Sequence, residues 1–138
     1  MSTPDVSDTL RDALRAIPGL VSAYLFGSAA TGREHRESDV DVAVLADRTT
    51  YPTPADRFEL RLTASSTLRQ ATGREVDLVV LNDTPPQFAR RIMTEGQRLL
   101  SNDALQEHAH LRMVLSRAAD LEPFLRRTRA IKLQAVER

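Results

Sequence analysis

Three aspartates and a glycine–serine pair carry the residue types from which chemistry could be built. Asp39 and Asp41 flank Val40, and Asp77 lies in the run Glu75–Leu81, where Val76, Leu78 and Val80 alternate with Asp77 and Val79. Side chains two residues apart on a strand share a face, so Asp39 and Asp41 project together. Asp77 occupies the equivalent phase of its own strand. Two carboxylates about 7 Å apart along one strand repel unless a cation lies between them. Hard divalent ions with oxygen ligands, magnesium above all, meet that need. Three such carboxylates from neighbouring strands suit a two-metal site, which clamps the attacking and leaving oxygens of a displacement. Aspartate is poorly suited to strands, and three on interior strands need a reason beyond solvation.

Gly27-Ser28 stands where an apolar run, Leu20–Phe26, gives way to small residues. Glycine lets backbone approach a phosphate, and amides at a helix start favour anions. Gly27 and Gly32 have the spacing of a P-loop, but Arg33-Glu34 replaces the Lys-Ser/Thr pair such a loop requires. The segment thus lacks the lysine and hydroxyl on which a Walker-type site depends.

The elements that must position these groups follow from periodicity. Ser7 is expected to cap a first helix with Leu10, Leu14 and Ile17 inward, stopped by Pro18-Gly19. Strands follow at Leu20–Phe26 and around Val40, Val42 and Val44, the second half-buried. The segment between them has room for a short helical turn and a loop. Thr53-Pro54 opens a helix through Phe58, Leu62 and Leu68 to Gly73. After the strand bearing Asp77, Pro85-Pro86 starts a helix through Phe88, Ile92 and Met93 that ends at Gly96, with Asp83 expected as its cap. Arg98–Leu100 reads as a short edge strand. Asp103 caps a long last helix with Leu105, Leu111, Val114, Leu115 and Leu121 as its apolar residues, and Pro123 should kink or divide it. The order predicts an α/β (α+β) fold, a small mixed sheet flanked by helices. It divides into a core over residues 1–103 that carries the candidate groups and a helical extension of the same domain over 104–138.

Composition narrows the function classes. The chain has 138 residues, enough for one core, with 41% hydrophobic and 28% charged side chains. No apolar run reaches the ~18 residues of a membrane span, and the acidic N-terminus lacks a signal-peptide pattern, so a cytoplasmic protein is expected. Cysteine is absent, which excludes disulfides, thiolate metal sites and cysteine nucleophiles. Residues 1–103 carry 12 Lys/Arg against 15 Asp/Glu, and residues 104–138 carry 7 against 4. An acidic body with a basic tail and 4% aromatics argues against a nucleic-acid platform. His35 reads as an exposed loop histidine. His108 and His110, two apart on a helix, do not share a face for metal binding. Arg126, Arg127 and Arg129 read first as a solvated helix face and second as a docking patch.

Gly-Ser, ten residues, then Asp-x-Asp resembles the signature of the DNA polymerase β-like nucleotidyltransferases. The stretch LFGSAATGREHRESDVDVAVL is similar to the small bacterial minimal nucleotidyltransferases (MNT). The likeness continues through REVDLVVLND to GQRLL and spans about residues 8–105. It implies that Gly27 and Ser28 hold nucleotide phosphates, with Arg33 and Ser38 as further nucleotide contacts. It implies that Asp39, Asp41 and Asp77 ligate two Mg²⁺, with Asp77 nearest the attacking hydroxyl. Thr31 departs from the arginine many relatives carry before the second glycine, and Arg33 or Arg36 would have to neutralise phosphate instead. The family further implies an antitoxin that transfers AMP from ATP to a tyrosine of a HEPN-type toxin ribonuclease. Two other readings stay open: an antitoxin acting by binding alone, and a free-standing enzyme acting on a small hydroxylated acceptor or an RNA end. The acceptor site would be completed by the partner or by a dimer mate.

Overall fold

In the computed structural model, which describes residues 5–27 and 40–137, four strands form one sheet in the order β3-β2-β1-β4. The strands are β1 (Leu20–Phe26), β2 (Val40–Ala46), β3 (Val76–Val80) and β4 (Gln97–Ser101). Strand β1 pairs antiparallel with both β2 and β4, whereas β2 and β3 run parallel. The parallel pair needs a crossover, which α2 (Pro54–Thr72) supplies. The other helices are α1 (Val6–Arg15), α3 (Pro86–Glu95) and α4 (Ala104–Glu137), with a 3₁₀ turn at Leu81–Asp83.

Alternation along the strands divides the core in two. Leu25, Val42, Val44 and Leu78 join Leu10 and Leu14 of α1 and Leu60, Ala64 and Leu68 of α2 on one face. Val21, Tyr24, Ala43 and Leu45 join Ala89 and Ile92 of α3 and Val114 of α4 on the other. Strand β2 is therefore buried on both faces beyond Asp41 rather than half-buried, because helices cover both sides. Strand β3 is an edge strand, so Asp77 does not lie in the sheet interior.

Several terminal signals act as read and others do not. Thr53 and Asp56 form a reciprocal capping box, and Gly73 closes α2 in the left-handed conformation. Asp103 Oδ1 accepts from the Gln106 N–H at 3.1 Å at the head of α4. Ser7, by contrast, caps nothing. Asp5 is the N-cap of α1, and Ser7 is buried with its hydroxyl 3.5 Å from Gln97 Oε1 of β4. Asp83 does not cap α3 either; it takes two bonds from the Arg57 guanidinium at 2.8 and 3.0 Å, tying the 3₁₀ turn to α2. Helix α4 continues through Pro123 as one element.

The apolar faces of the helices shift accordingly. Phe58 and Leu62 point outward at 56% exposure each, and α2 buries Leu60, Ala64 and Leu68 instead. On α4 the buried set is Glu107, His110, Val114 and Ala118, while Leu105, Leu115 and Leu121 are exposed. Glu107 is held by the Tyr24 hydroxyl, by Ser101 Oγ at 2.8 Å and by Arg98 at 3.1 Å, which joins α4 to β1 and β4. Burial, and next the bond to Glu107, raise the Tyr24 phenol far above its ordinary pKa. The Glu107 carboxylate thus replaces an apolar contact on that face.

Candidate active site

The carboxylates are brought together by the pairing of β2 with β3. Their register sets Asp41 beside Asp77, Ala43 beside Val79, and Val44 beside Val80. Neighbouring strands lie about 4.8 Å apart, so two acids stand side by side on the face shared with Ala43, Leu45 and Val79. That register is locked at its far end. Asn82 Oδ1 accepts from the Ala46 N–H at 2.8 Å, and Asn82 Nδ2 donates to the Ala46 carbonyl at 3.0 Å. One side chain thereby extends the ladder past the end of β3. In the sequence Asn82 belongs to the run that breaks the strand ahead of Pro85-Pro86, and no local pattern announces this clamp.

Gly27 completes the described part of the site. Its φ is +77°, and a Cβ there would run into Asp41 Oδ2. Both facts demand glycine: the left-handed backbone and the absence of room beside the carboxylate. The preceding Phe26 is paired with Asp41 across the sheet and packs edge-on against Phe88 of α3, centroids 5.7 Å apart. The end of β1 is thus pinned from the helix side while Gly27 passes directly over Asp41. Asp77 is exposed and makes no hydrogen bond or ion pair with the described residues, leaving its oxygens open to a ligand.

Ser28, Arg33, Ser38 and Asp39 lie outside the described residues, as do Thr31, His35 and Arg36. Among the described residues no three His, Cys, Asp or Glu side chains gather as a metal-ligand set. The pair Asp41 and Asp77 nevertheless fits magnesium by donor chemistry: hard anionic oxygens, adjacent, with a glycine cradle that any side chain would fill. Of the two helix histidines, His110 is buried and His108 exposed, consistent with their not sharing a face.

Among the described residues no helix is long and apolar enough to cross a membrane. The chain is similar to several known proteins. A curated protein of Shewanella oneidensis, protein adenylyltransferase MntA, is 39% identical over 83 residues, which are 60% of this chain and 55% of that one. The chain thus spans about half the length of that relative in the match. A crystal structure of a toxin–antitoxin with AMP-PNP superposes with a TM-score of 0.68 at 26% identity, covering 96% of this chain and 98% of the other. A complex of tri-AMPylated Shewanella oneidensis HEPN toxin with MNT antitoxin shares the fold at 23% identity, with a TM-score of 0.63 over 96% and 97% of the two chains. The family model described as polymerase beta, nucleotidyltransferase, matches residues 8–105, which run from α1 through β4 and contain every residue of the glycine–carboxylate site. With that match laid over a glycine-backed acid pair on parallel strands, the chain belongs to the polymerase beta nucleotidyltransferase family.

Proposed function

We propose that this protein is a magnesium-dependent adenylyltransferase that moves AMP from ATP to a hydroxyl, a tyrosine of a HEPN-type toxin, and so acts as an antitoxin. The observation that carries the proposal is the in-register pair of Asp41 and Asp77 beneath Gly27. The relative named a protein adenylyltransferase and the toxin–antitoxin neighbour holding AMP-PNP support the choice of nucleotide and partner. We assign Gly27 and Ser28 to the nucleotide phosphates, with Arg33 and Ser38 as further nucleotide contacts. Asp39, Asp41 and Asp77 are assigned to two magnesium ions. Residues 1–103 form the catalytic core in this reading, and 104–138 extend it. Because ATP is required, the reaction is placed in the cytoplasm.

The acceptor oxygen forms a bond to the α-phosphorus, the α–β phosphoanhydride bond breaks, pyrophosphate leaves, and the hydroxyl proton is released. When bound, magnesium would supply Lewis-acid neutralisation of the charge on the phosphoryl oxygens. The chain's own residues do the positioning. Gly27 opens the end of β1 so that backbone amide and phosphate can approach. Asp41, partly shielded by Gly27, is a fixed anchor. Asp77, exposed on the edge strand, faces an incoming hydroxyl and is placed to accept its proton.

The test is co-expression with a HEPN-type partner followed by intact-mass analysis. Each transferred AMP adds ~329 Da to the partner. The wild-type chain gives that shift and Asp41→Asn does not, although the complex still forms. A partner neutralised by the wild-type chain without any mass change would replace this reading with binding alone. Efficient transfer by the isolated chain to a small acceptor or an RNA end would remove the protein partner from it.

A further inference from the structure

Two surface grooves of this chain share a wall. The first, of about 530 Å³, runs between α2 and the turn into α3, with Phe58, Val79 and Phe88 among its walls. The second, of about 450 Å³, is lined by α3 together with Leu125 of α4, and Phe88 borders it as well. An apolar band therefore crosses from α2 over α3 to α4. Its two aromatics are open to solvent, Phe58 at 56% and Phe88 at 41% exposure. The helices that carry the band are tied in place. Arg57 of α2 pairs with Asp83 at 2.8 Å at the first groove. At the second, Gln87 Nε2 of α3 donates to the Ala118 carbonyl of α4 at 3.0 Å. A surface fixed in this way loses little freedom when something lands on it.

The charges of the two grooves follow one pattern. Each is lined by two arginines and one acid, and the acid is taken by one of the arginines. In the first, Asp83 holds Arg57 and Arg61 is left over. In the second, Glu95 lies 3.9 Å from Arg91 and Arg90 is left over. Arg61 and Arg90 are exposed and make no ion pair with the described residues. The whole chain has a net charge of zero, so the band is a local cationic excess on a balanced molecule. It also adjoins the candidate active site. Val79 shares a face with Asp77, and Phe88 packs on Phe26, the cross-strand partner of Asp41.

We infer that this band is the docking surface for the protein partner, and that it receives a face on which apolar residues stand among carboxylates. The inference rests on the adenylyltransferase reading and names where the partner of that reaction lands. Charge selects the occupant. A second copy of this chain, related by a twofold axis, would set the band against itself, arginine excess facing arginine excess. A nucleic acid would bring phosphates beside the exposed Asp77 carboxylate, which repels them. Carboxylates of a protein partner meet Arg61 and Arg90 while its apolar residues cover Phe58 and Phe88.

The experiment measures binding of the full chain to a HEPN-type partner without ATP, so that no transfer step enters. Arg61→Glu and Arg90→Glu each raise Kd at least about tenfold, and the double variant loses most of the salt dependence of the wild type. Arg112→Glu makes the same charge change at an exposed arginine of α4 outside both grooves, and its Kd stays within about twofold. Phe58→Ala raises Kd at least about tenfold, whereas Leu62→Ala, equally exposed on α2 but outside the grooves, does not. All these variants keep the wild-type urea midpoint and bind ATP within about twofold, since none touches Asp41, Asp77 or Gly27. The inference is overturned if the two groove arginines matter no more than Arg112, or if Phe58→Ala and Leu62→Ala behave alike. It is also overturned if the same variants instead dissociate a dimer of this chain, or abolish binding of an RNA oligonucleotide and spare the partner. A wild-type chain that binds the partner through the band yet transfers no AMP to it defeats the adenylyltransferase reading alone.

Discussion

The two ends of β2 each present an aspartate, and the protein treats them in opposite ways. Asp47, just past the C-terminal end, accepts from Gln106 Nε2 at 3.0 Å and from Thr50 through its hydroxyl at 2.8 Å and its N–H at 3.2 Å. These bonds, Gln106 first and then Thr50, hold its carboxyl below the usual carboxylate range. Beside it Asn82 clamps Ala46 through both backbone groups. At the other end Asp41 stands beside a second acid, Asp77, across one strand spacing, with Gly27 packed against its carboxylate. Like charges so placed oppose folding by roughly 1 kcal/mol even in high dielectric. Asp47 is tied into the fold by three bonds, whereas Asp41 and Asp77 set two like charges side by side. The difference separates scaffold from site within a single seven-residue strand.

Gly27→Ala is the strongest way to break that contrast, because it adds a Cβ both at a positive φ and against the Asp41 carboxylate. We expect AMP transfer to fall at least about a thousandfold and stability to fall about 1–3 kcal/mol. Transfer assays and urea unfolding on the same preparation read both. Wild-type kinetics in this variant would mean that the β1 end plays no part in catalysis. Asp77→Asn should separate the two quantities. It removes one of two facing charges, so transfer drops at least about a hundredfold while stability holds or rises by up to ~1 kcal/mol. A marked loss of stability would show that Asp77 is structural.

Asn82→Ala is the mirror experiment at the satisfied end. It leaves the Ala46 N–H and carbonyl without their partner, and a loss of about 1–3 kcal/mol is expected. The folded fraction should keep transfer within about threefold, since Asn82 touches neither acid. Lost transfer at unchanged stability would contradict the division of labour.

The asymmetry of β2 was only half visible in the residues. Asp39, Asp41 and Asp77 stand out because acids are rare in strands and their spacing puts them on one face, and Gly27 stands out by preceding them. Both are local signals. The clamp by Asn82, the closure of Glu107 over Tyr24 and the pairing of Arg57 with Asp83 join residues 26 to 83 positions apart, and no periodicity encodes such partners. The same limit explains the helices. Apolar spacing chose Phe58, Leu62 and Leu105 as inward residues, yet the covered stripe was set by how α2 and α4 lie on the sheet. On α4 that stripe runs through Glu107 and His110, residues that a search for apolar periodicity passes over.

His110 gives the smallest but most specific test of the scaffold end. It is buried beside a cavity of about 280 Å³ lined by Leu45, Asp47, Arg48, Asn82 and Gln106, and its Nε2 has no partner among the described residues. Burial foremost, then the Arg48 and Arg117 charges, lower its pKa below the ordinary histidine value, against a smaller opposing bond to the Leu81 backbone. In the unfolded chain this group takes up its proton near pH ~6.5, whereas in the fold it does so only at lower pH. Between those limits the unfolded state binds more protons, so its contribution is complete above pH ~6.5 and is lost as pH falls through the folded value. Asp47 titrates later. Its depressed carboxyl contributes above pH ~3.9 and loses that contribution only as pH drops through its folded value, so the two effects occupy different windows. His110→Phe keeps the ring volume and removes the titration. Urea midpoints measured from pH 7.5 to 5 should fall less steeply in this variant than in the wild type, with transfer at pH 7.5 unchanged. Parallel slopes would mean that His110 accepts a proton as readily inside the fold as outside, and that the end of β2 holding Asp47 and Asn82 is no drier than the end that carries Asp41.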